Sequence, residues 1–194
     1  MDCVKIGKLI AKLRKKNLTQ KNIADALGIQ SKTVSKWECG LGCPDLSLWP
    51  ELSAILGVDM NQLMEGEITP NKPDSGNIEK IRFYVCSTCG NILVSTGSAS
   101  IFCCGRKLER ILPRDSSDII KITVEEIETD YFITLDHPMT KEHYLSFVAY
   151  VKSDKVFLNR LYPEQSPTCR FSITRGGKLY AFCIRHGLTV YSEY

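Results

Sequence analysis

The spacing of apolar residues changes at residues 66–78, a segment rich in proline, glycine, asparagine and serine. Before this segment apolar side chains recur at helical spacing, as in Ile6, Leu9, Ile10 and Leu13. After it, short β-type runs alternate with turn residues. The two patterns predict a two-domain α + β protein, and 194 residues are enough for two small domains.

The first 66 residues predict a bundle of five short helices. Thr19 has a side chain that suits the N-cap of a second helix, and Asp59 suits that of a fifth. A third helix is expected over residues 31–38, with Val34 and Trp37 turned toward the core.

The later part of the chain predicts a β-sandwich. Its β-type runs are residues 82–86, 119–124, 131–135, 145–151, 156–161, 169–174 and 179–184.

Charge is unevenly distributed along the chain. Residues 1–40 contain nine Lys/Arg and three Asp/Glu, a net charge of +6, whereas the remaining 154 contain sixteen and nineteen, a net charge of −3. A basic head suggests a polyanionic partner, although an ordinary solvated basic face would look the same. There is no apolar run long enough to cross a membrane and no apolar signal core at the N-terminus, so we expect a cytoplasmic protein with no membrane partner.

The predicted third helix has a polar face opposite its core residues. That face carries Ser31, Lys32, Ser35 and Lys36. A helix fits the major groove of DNA, where outward side chains reach base edges. These positions are therefore candidates for contact with double-stranded DNA.

Residues 5–66 resemble the phage-repressor and Cro-type helix-turn-helix family, and the matching stretches are residues 18–24, 28–29, 33–38 and 52–58, with Leu63. The resemblance implies that Ser31, Lys32 and Lys36 read bases and that Gln20 contacts phosphate. The other phosphate-positioning candidates are Thr19, Lys21, Lys12, Lys15 and Lys16.

Nine cysteines without an export signal favour metal binding over a disulfide scaffold. Cys86 and Cys89 form a CxxC pair followed by glycine, and the adjacent Cys103 and Cys104 are also followed by glycine. Four thiolates folded together make a tetrahedral site for iron or zinc. The spacing with an adjacent pair resembles the desulforedoxin-type knuckle, and this resemblance implies a rubredoxin-like iron.

The chain from about residue 109 onward resembles the iron domain of superoxide reductases, as in neelaredoxin and desulfoferrodoxin. The resemblance rests on residues 136–144 and 183–188, which include all three histidines of the chain. It implies that His137, His143 and His186 are equatorial ligands of a metal and that Cys183 is the axial thiolate.

One ligand of that family is missing. The fourth histidine is expected where this chain has Ile111, and Arg110 replaces the preceding lysine. An aliphatic side chain cannot bind metal, so the second site is incomplete, holding iron or zinc through three nitrogens and one sulfur. A side chain such as Glu109 is the alternative that would fill the gap.

These features predict four segments: a five-helix helix-turn-helix DNA-binding domain over residues 1–66, a linker over 67–79, a desulforedoxin-like metal knuckle with four cysteine ligands over 80–112, and an immunoglobulin-like β-sandwich of superoxide reductase type over 113–194. Cys3, Cys39, Cys43 and Cys169 match no ligand position and are expected to be small hydrophobes or bystanders.

The predicted function is sequence-specific transcription regulation by a homodimer with a metal- or redox-responsive C-terminal module. Because of Ile111, the sequence predicts no catalytic residues and no enzyme. Two alternatives remain open. One is an active superoxide reductase tethered to a DNA-binding domain, and the other is a DNA-binding protein with a structural, zinc-filled dimerisation module.

Overall fold

The fold was analysed in a computed structural model that describes residues 2–74, 76–115, 120–152, 154–172 and 176–192. The chain divides into two compact units, Met1–Pro70 and Asn71–Tyr194. The boundary falls inside the predicted linker, and the finer division into four segments stays a prediction.

The first unit is helical, as predicted. Its helices are α1 (Cys3–Arg14), α2 (Gln20–Ala26), α3 (Ser31–Glu38), α4 (Trp49–Leu56) and α5 (Met60–Glu65), with a 3-10 turn at Leu46–Leu48. They enclose one apolar core that includes Ile10, Ile23, Val34, Trp37 and Leu52.

Side-chain caps set the starts of the helices. Thr19 is the N-cap of α2: its hydroxyl accepts a hydrogen bond from the Asn22 amide at 3.1 Å, and the Asn22 side chain accepts one from the Thr19 amide at 2.8 Å. Asp59 caps α5 in the same way, accepting from the amides of Asn61 and Gln62. These contacts satisfy amides that the first turn leaves without a helical partner.

Helix α1 packs against the end of α3 at a glycine. A Cβ added to Gly7 would lie 1.9 Å from the carbonyl oxygen of Trp37. No side chain fits at this crossing, so Gly7 allows the backbone of α1 to touch the end of α3.

The second unit consists of β-strands, with a 3-10 turn at Ile78–Lys80 before the first. The strands are β1 (Arg82–Val85), β2 (Ile92–Ser95), β3 (Ile101–Cys103), β4 (Arg106–Leu108), β5 (Arg114–Asp115), β6 (Lys121–Ile127), β7 (Asp130–Asp136), β8 (Leu145–Lys152), β9 (Lys155–Arg160), β10 (Thr168–Ser172), β11 (Lys178–Cys183) and β12 (Gly187–Ser192).

Two sheets form the predicted sandwich. One has the order β10-β7-β6 and the other β5-β12-β11-β8-β9, while β1-β2 and β3-β4 are separate hairpins. The core between the sheets includes Tyr131 and Ile133 from β7, Phe171 from β10, and Val148 and Tyr150 from β8.

Strand β8 is buried on both faces, which explains why its buried residues 145–151 are apolar except for Ser146. Val148 and Tyr150 face the sandwich core, whereas Phe147 packs on the opposite face with Phe83 of β1 at a ring-centroid distance of 5.3 Å. The first strand of the knuckle region therefore covers the outer face of the larger sheet.

The predicted strand runs match β1 and β6–β11 in position. Strands β2–β5 and β12 were not predicted, because each is short or mixes polar and apolar residues. The predicted strand ends at Ile119 and Thr174 lie outside the described residues. Among the residues that are described, no helix combines the length and apolar character needed to cross a membrane.

We expect Gly7→Ala to destabilise the helical unit. Alanine has a helix propensity about 1 kcal/mol better than that of glycine, but its methyl group would collide with the Trp37 carbonyl. The free energy of unfolding should fall by ~1–3 kcal/mol. Both tryptophans of the chain lie in this unit, so their fluorescence during urea unfolding reports on it selectively.

Gly42→Ala is the matched control, because a Cβ there meets nothing within 4 Å. Equal stability of the two variants would show that the α1–α3 crossing is not as close as described.

Candidate metal centres and DNA-binding surface

The four predicted knuckle cysteines come together. Cys86 and Cys89 lie in the turn between β1 and β2. Cys103 is the last residue of β3, and Cys104 lies in the turn between β3 and β4. Their four sulfurs lie within 4.8 Å of one another, and those of Cys89 and Cys103 are 3.5 Å apart. The two hairpins thus present four sulfur ligands to one point.

Glycine makes the first turn of the knuckle possible. Gly90 has a φ of +68°, a conformation that L side chains rarely adopt. Its amide donates to the Cys86 carbonyl at 2.8 Å, closing the loop that carries both sulfurs. Gly105 has a similar φ of +73° after the second pair.

The pKa values of two knuckle thiols, Cys86 and Cys104, are shifted in opposite directions. Backbone amides of Cys89 and Thr88 donate toward the Cys86 sulfur and lower the pKa of that thiol to about 6. The pKa of the Cys104 thiol is instead raised to about 12, because its hydrogen bonds to Cys89 and Cys86 favour the neutral thiol. A bound dication would offset the negative charges of the thiolates, so the set of four sulfurs fits iron or zinc.

The second cluster is built by the pairing of β8 with β11. Leu145 at the start of β8 is opposite Cys183 at the end of β11, where the register shifts. The Ile184 amide donates to the Tyr144 carbonyl at 3.2 Å, which holds the loop before β8 against the turn after β11. His143 is therefore brought to Cys183.

The loop between β7 and β8 supplies two histidines, and the turn after Cys183 supplies the third. The ligand atoms of His137, His143, Cys183 and His186 lie within 4.8 Å of one another. The imidazole rings meet edge to face, with interplanar angles of 77°, 83° and 85°. The structure therefore assembles the predicted set of three nitrogens and one sulfur, which we call the histidine–cysteine cluster.

An unpaired nitrogen indicates that this cluster fits a metal. His137 Nδ1 lies 2.6 Å from the Pro138 carbonyl and donates to it, whereas its buried Nε2 has no hydrogen-bond partner among the residues that the structure describes. A buried nitrogen without a partner is costly unless a cation uses its lone pair. The Arg185 amide donates to the Cys183 sulfur at 3.3 Å.

The surroundings of His137 and His143 favour their neutral form. Burial lowers the pKa of His137, and the neighbouring His143 and His186 lower it further. The pKa of His143 is lowered by desolvation and by the positive charges of His186 and Arg185. Neutral imidazole is the form that binds metal.

Ile111 lines a cavity instead of completing the cluster. The Ile111 amide donates to the Phe83 carbonyl at 2.9 Å, and its side chain faces a cavity of about 550 Å³ shared with the knuckle loop, Tyr144 and Ile184. Glu109 is exposed and is not part of the histidine–cysteine cluster found among the described residues. The structure thus offers no support for Glu109 as a replacement ligand.

Arg160 ties the knuckle to the sandwich. Its Nη1 donates to the Gly90 carbonyl at 2.6 Å, across 70 residues of sequence. Nothing in the spacing of the cysteines pointed to this contact, because Arg160 lies at the end of an otherwise ordinary edge strand.

The predicted DNA-reading face of α3 is available. Lys32 and Lys36 are exposed, and Ser31 and Ser35 are half-buried beside them. Val34 and Trp37 are buried on the opposite side of the helix, as predicted. Lys21, near the start of α2, is also exposed.

Two predicted phosphate contacts have structural partners. The Thr19 hydroxyl is used in the α2 cap. Gln20 Nε2 donates to Glu38 Oε2 at 2.7 Å, and Glu38 also pairs with Arg14. Partial burial alone would raise the pKa of Glu38, but hydrogen bonds from Arg14 and Gln20 outweigh it and leave the pKa below its ordinary value. This network joins α1, α2 and α3.

The expectation that all unassigned cysteines are bystanders is wrong for two of them. Cys3 and Cys43 form a disulfide across 40 residues, with a Cα–Cα distance of 5.1 Å. The sequence prediction missed the pair because it excluded disulfides on the basis of compartment. Cys39 is a free, exposed thiol, and Cys169 is buried in the sandwich core.

Comparison with known proteins separates the two units in the same way. Residues 9–63 match the helix-turn-helix family model. The chain is also 34% identical over 73 residues to the HTH-type transcriptional activator BcrR of Enterococcus faecalis, an alignment covering 36% of each protein.

The remainder of the chain is similar to desulfoferrodoxins. It is 28% identical over 120 residues to the desulfoferrodoxin of Desulfarculus baarsii, covering 56% of this chain and 94% of that protein. A superoxide reductase from Treponema pallidum aligns in structure over 58% of this chain and 97% of its own, with 19% identity and a TM-score of 0.48. The molecule therefore combines a DNA-binding domain with a metal-binding module. The chain is a fusion of a helix-turn-helix domain and a desulfoferrodoxin-like module.

The prediction that the chain is not an enzyme is contradicted by this similarity. It extends over nearly the whole length of a desulfoferrodoxin. The prediction rested on Ile111 alone. Although Ile111 stands at the expected histidine position, the four ligand-type residues of the histidine–cysteine cluster still lie together.

We expect two separable metal sites in the purified chain. Cys103→Ser removes one of four sulfurs, so elemental analysis should find about one metal equivalent fewer, and the second site should stay filled. Cys39→Ser is the matched control, because Cys39 is an exposed thiol outside both clusters. Unchanged metal content in Cys103→Ser would contradict the knuckle assignment.

Proposed function

We propose that the protein is a cytoplasmic transcription regulator that binds DNA through α3 and responds to superoxide through iron in its C-terminal module. The observation that carries the proposal is the histidine–cysteine cluster with the unpaired Nε2 of His137, in a chain that also has a helix-turn-helix domain.

The helical unit supports recognition of DNA sequence. Lys32 and Lys36 project from one face of α3, and the Arg14–Glu38–Gln20 network fixes that helix relative to α1 and α2. A rigid helix with exposed lysines can enter the major groove and donate to guanine acceptors. We further propose a homodimer on a near-palindromic operator, because two half-sites about one helical turn apart give such small domains sufficient affinity.

The second unit supports redox chemistry on a small anion. His137, His143, His186 and Cys183 would hold the metal, and the backbone amide of Arg185 would stabilise the thiolate. The chemistry that iron(II) supplies at such a site is donation of one electron, which with two protons converts superoxide into hydrogen peroxide. The guanidinium of Arg185, close enough to lower the pKa of His143, makes the site attractive to an anion.

A structural zinc module remains the second candidate, because three imidazoles and a thiolate also suit a closed tetrahedron. Elemental analysis and an optical spectrum of Cys103→Ser, in which the knuckle is incomplete, separate the two, since iron–thiolate sites are coloured and zinc sites are not.

We expect Lys32→Ala to weaken binding to a specific operator by about 1–3 kcal/mol and to relax its specificity. Lys12→Ala should instead weaken specific and random duplexes alike, because it removes only a phosphate contact. Both would be measured by titration of an operator selected from a random library. Equal losses on specific and random DNA for Lys32→Ala would refute the assignment of base reading.

We expect His143→Ala to lower the affinity of the second site for iron by at least ~10-fold, since even outer-shell partners of metal ligands are worth that much. Its rate of superoxide consumption should fall with it, as measured by stopped-flow absorbance. Glu126→Ala is the control, because Glu126 is exposed on β6 and lies outside the histidine–cysteine cluster. Wild-type iron affinity in His143→Ala would exclude this cluster as the reactive centre.

A further inference from the structure

The disulfide between Cys3 and Cys43 lies beside the DNA-reading helix. Cys3 is the first residue of α1, and Cys43 belongs to the segment that leads out of α3. Both side chains are half-buried. The bond therefore joins the start of α1 to the exit of the recognition helix.

That exit segment packs closely on α1. The Gly40 and Leu41 amides donate to the carbonyls of Trp37 and Lys36, which continues the last turn of α3. A Cβ on Gly40 would lie 2.9 Å from the side chain of Val4, the residue next to Cys3. Movement at Cys43 is consequently transmitted to the turn that carries Lys36.

The apolar anchorage of the segment is uneven. Leu41 is 76% exposed and Leu46 is 70% exposed, whereas Pro44, the residue after Cys43, is buried. Closing a loop of 40 residues restricts the open conformations of the helical unit considerably. The disulfide thus adds a covalent restraint to the packing that holds the exit of α3 against α1.

We propose that Cys3 and Cys43 are an oxidation site at which a hydroperoxide converts two thiols to the observed disulfide and thereby strengthens DNA binding. The effect on DNA binding rests on the function proposed above, whereas the oxidation of the two thiols is independent of it.

The reaction balances with hydrogen peroxide as the oxidant. One thiolate attacks a peroxide oxygen, the O–O bond breaks, and hydroxide leaves and takes up a proton, which gives a sulfenic acid and water. The second thiol then attacks that sulfur, the S–O bond breaks, the S–S bond forms, and a second water leaves with the thiol proton. Two thiols lose two electrons, and one peroxide is reduced to two waters.

The disulfide is expected to be reversible because a DNA-binding protein works in the reducing cytosol. Disulfides in the reducing cytosol are usually transient and redox-sensing. In the disulfide form α3 is packed with Val34 and Trp37 buried and its lysine face exposed, so the oxidised head is competent to bind. Reduction releases the exit segment, and part of the DNA-binding free energy is then used to order that segment again.

The test uses the full chain, first reduced and then treated with hydrogen peroxide. Peptide mapping should find the peptide of Cys3 joined to that of Cys43. The affinity for a duplex selected from a random library by the oxidised protein should be ~5-fold higher than in the reduced form, the effect of ordering one or two side chains in advance. Cys3→Ser should bind like the reduced wild-type protein under both conditions.

Cys39→Ser is the matched control, because Cys39 is an exposed thiol at the end of α3 that lies outside the disulfide. This variant must keep the full response to peroxide. Failure to form the Cys3–Cys43 link, or a link that leaves the affinity unchanged, would overturn the proposal. If the link forms and neither redox form binds any duplex, it is the DNA-binding function that fails.

Discussion

The antiparallel pairing of β8 with β11 is the constraint on which the second unit depends. It sets Leu145 opposite Cys183, and it therefore decides that the loop before β8 meets the turn after β11. A slip of one residue would turn every side chain of β8 to the other face of the sheet. Because β8 is buried on both faces, such a slip would also disrupt both cores, and the register is strongly fixed.

The histidine–cysteine cluster gains its rigidity from this same pairing. Thr140 and His143 exchange two backbone hydrogen bonds, at 3.0 and 3.2 Å, which fold the loop back on itself. Arg185 donates to the Glu142 carbonyl at 3.0 Å from the opposite turn. These contacts fix the two segments that carry the candidate ligands, and such supporting hydrogen bonds orient metal-binding side chains in proteins.

Much of the fold and the ligand sets could be predicted from the sequence, because both depend on local patterns. The side-chain types of Thr19 and Asp59 predict the two caps, and helical spacing predicts that Val34 and Trp37 are buried. The structure has these features as predicted. The resemblance to two metal-binding families identified eight ligand-type residues, and the structure places them in two clusters of four.

The features that were missed depend on long-range contacts. Neither the Arg160–Gly90 hydrogen bond nor the Arg14–Glu38 ion pair has any local signal in the sequence. The Cys3–Cys43 disulfide was missed for a different reason, since an argument about compartment replaced one about proximity. The expectation that the chain lacks enzymatic activity gave one position, Ile111, more weight than the similarity to desulfoferrodoxins allows.

We propose that one chain couples a redox metal site to DNA binding. Thermodynamic linkage allows this coupling to be measured as a change in iron affinity when DNA binds. Any effect of iron on DNA affinity must be matched by an equal effect of DNA on iron affinity. The decisive measurement is the iron affinity of the second site in Cys103→Ser, with and without a selected duplex at saturation. The account predicts a change of ~5-fold or more, which Lys32→Ala should diminish at the same DNA concentration. Identical iron affinities with and without DNA would contradict it and would leave two independent functions in one chain.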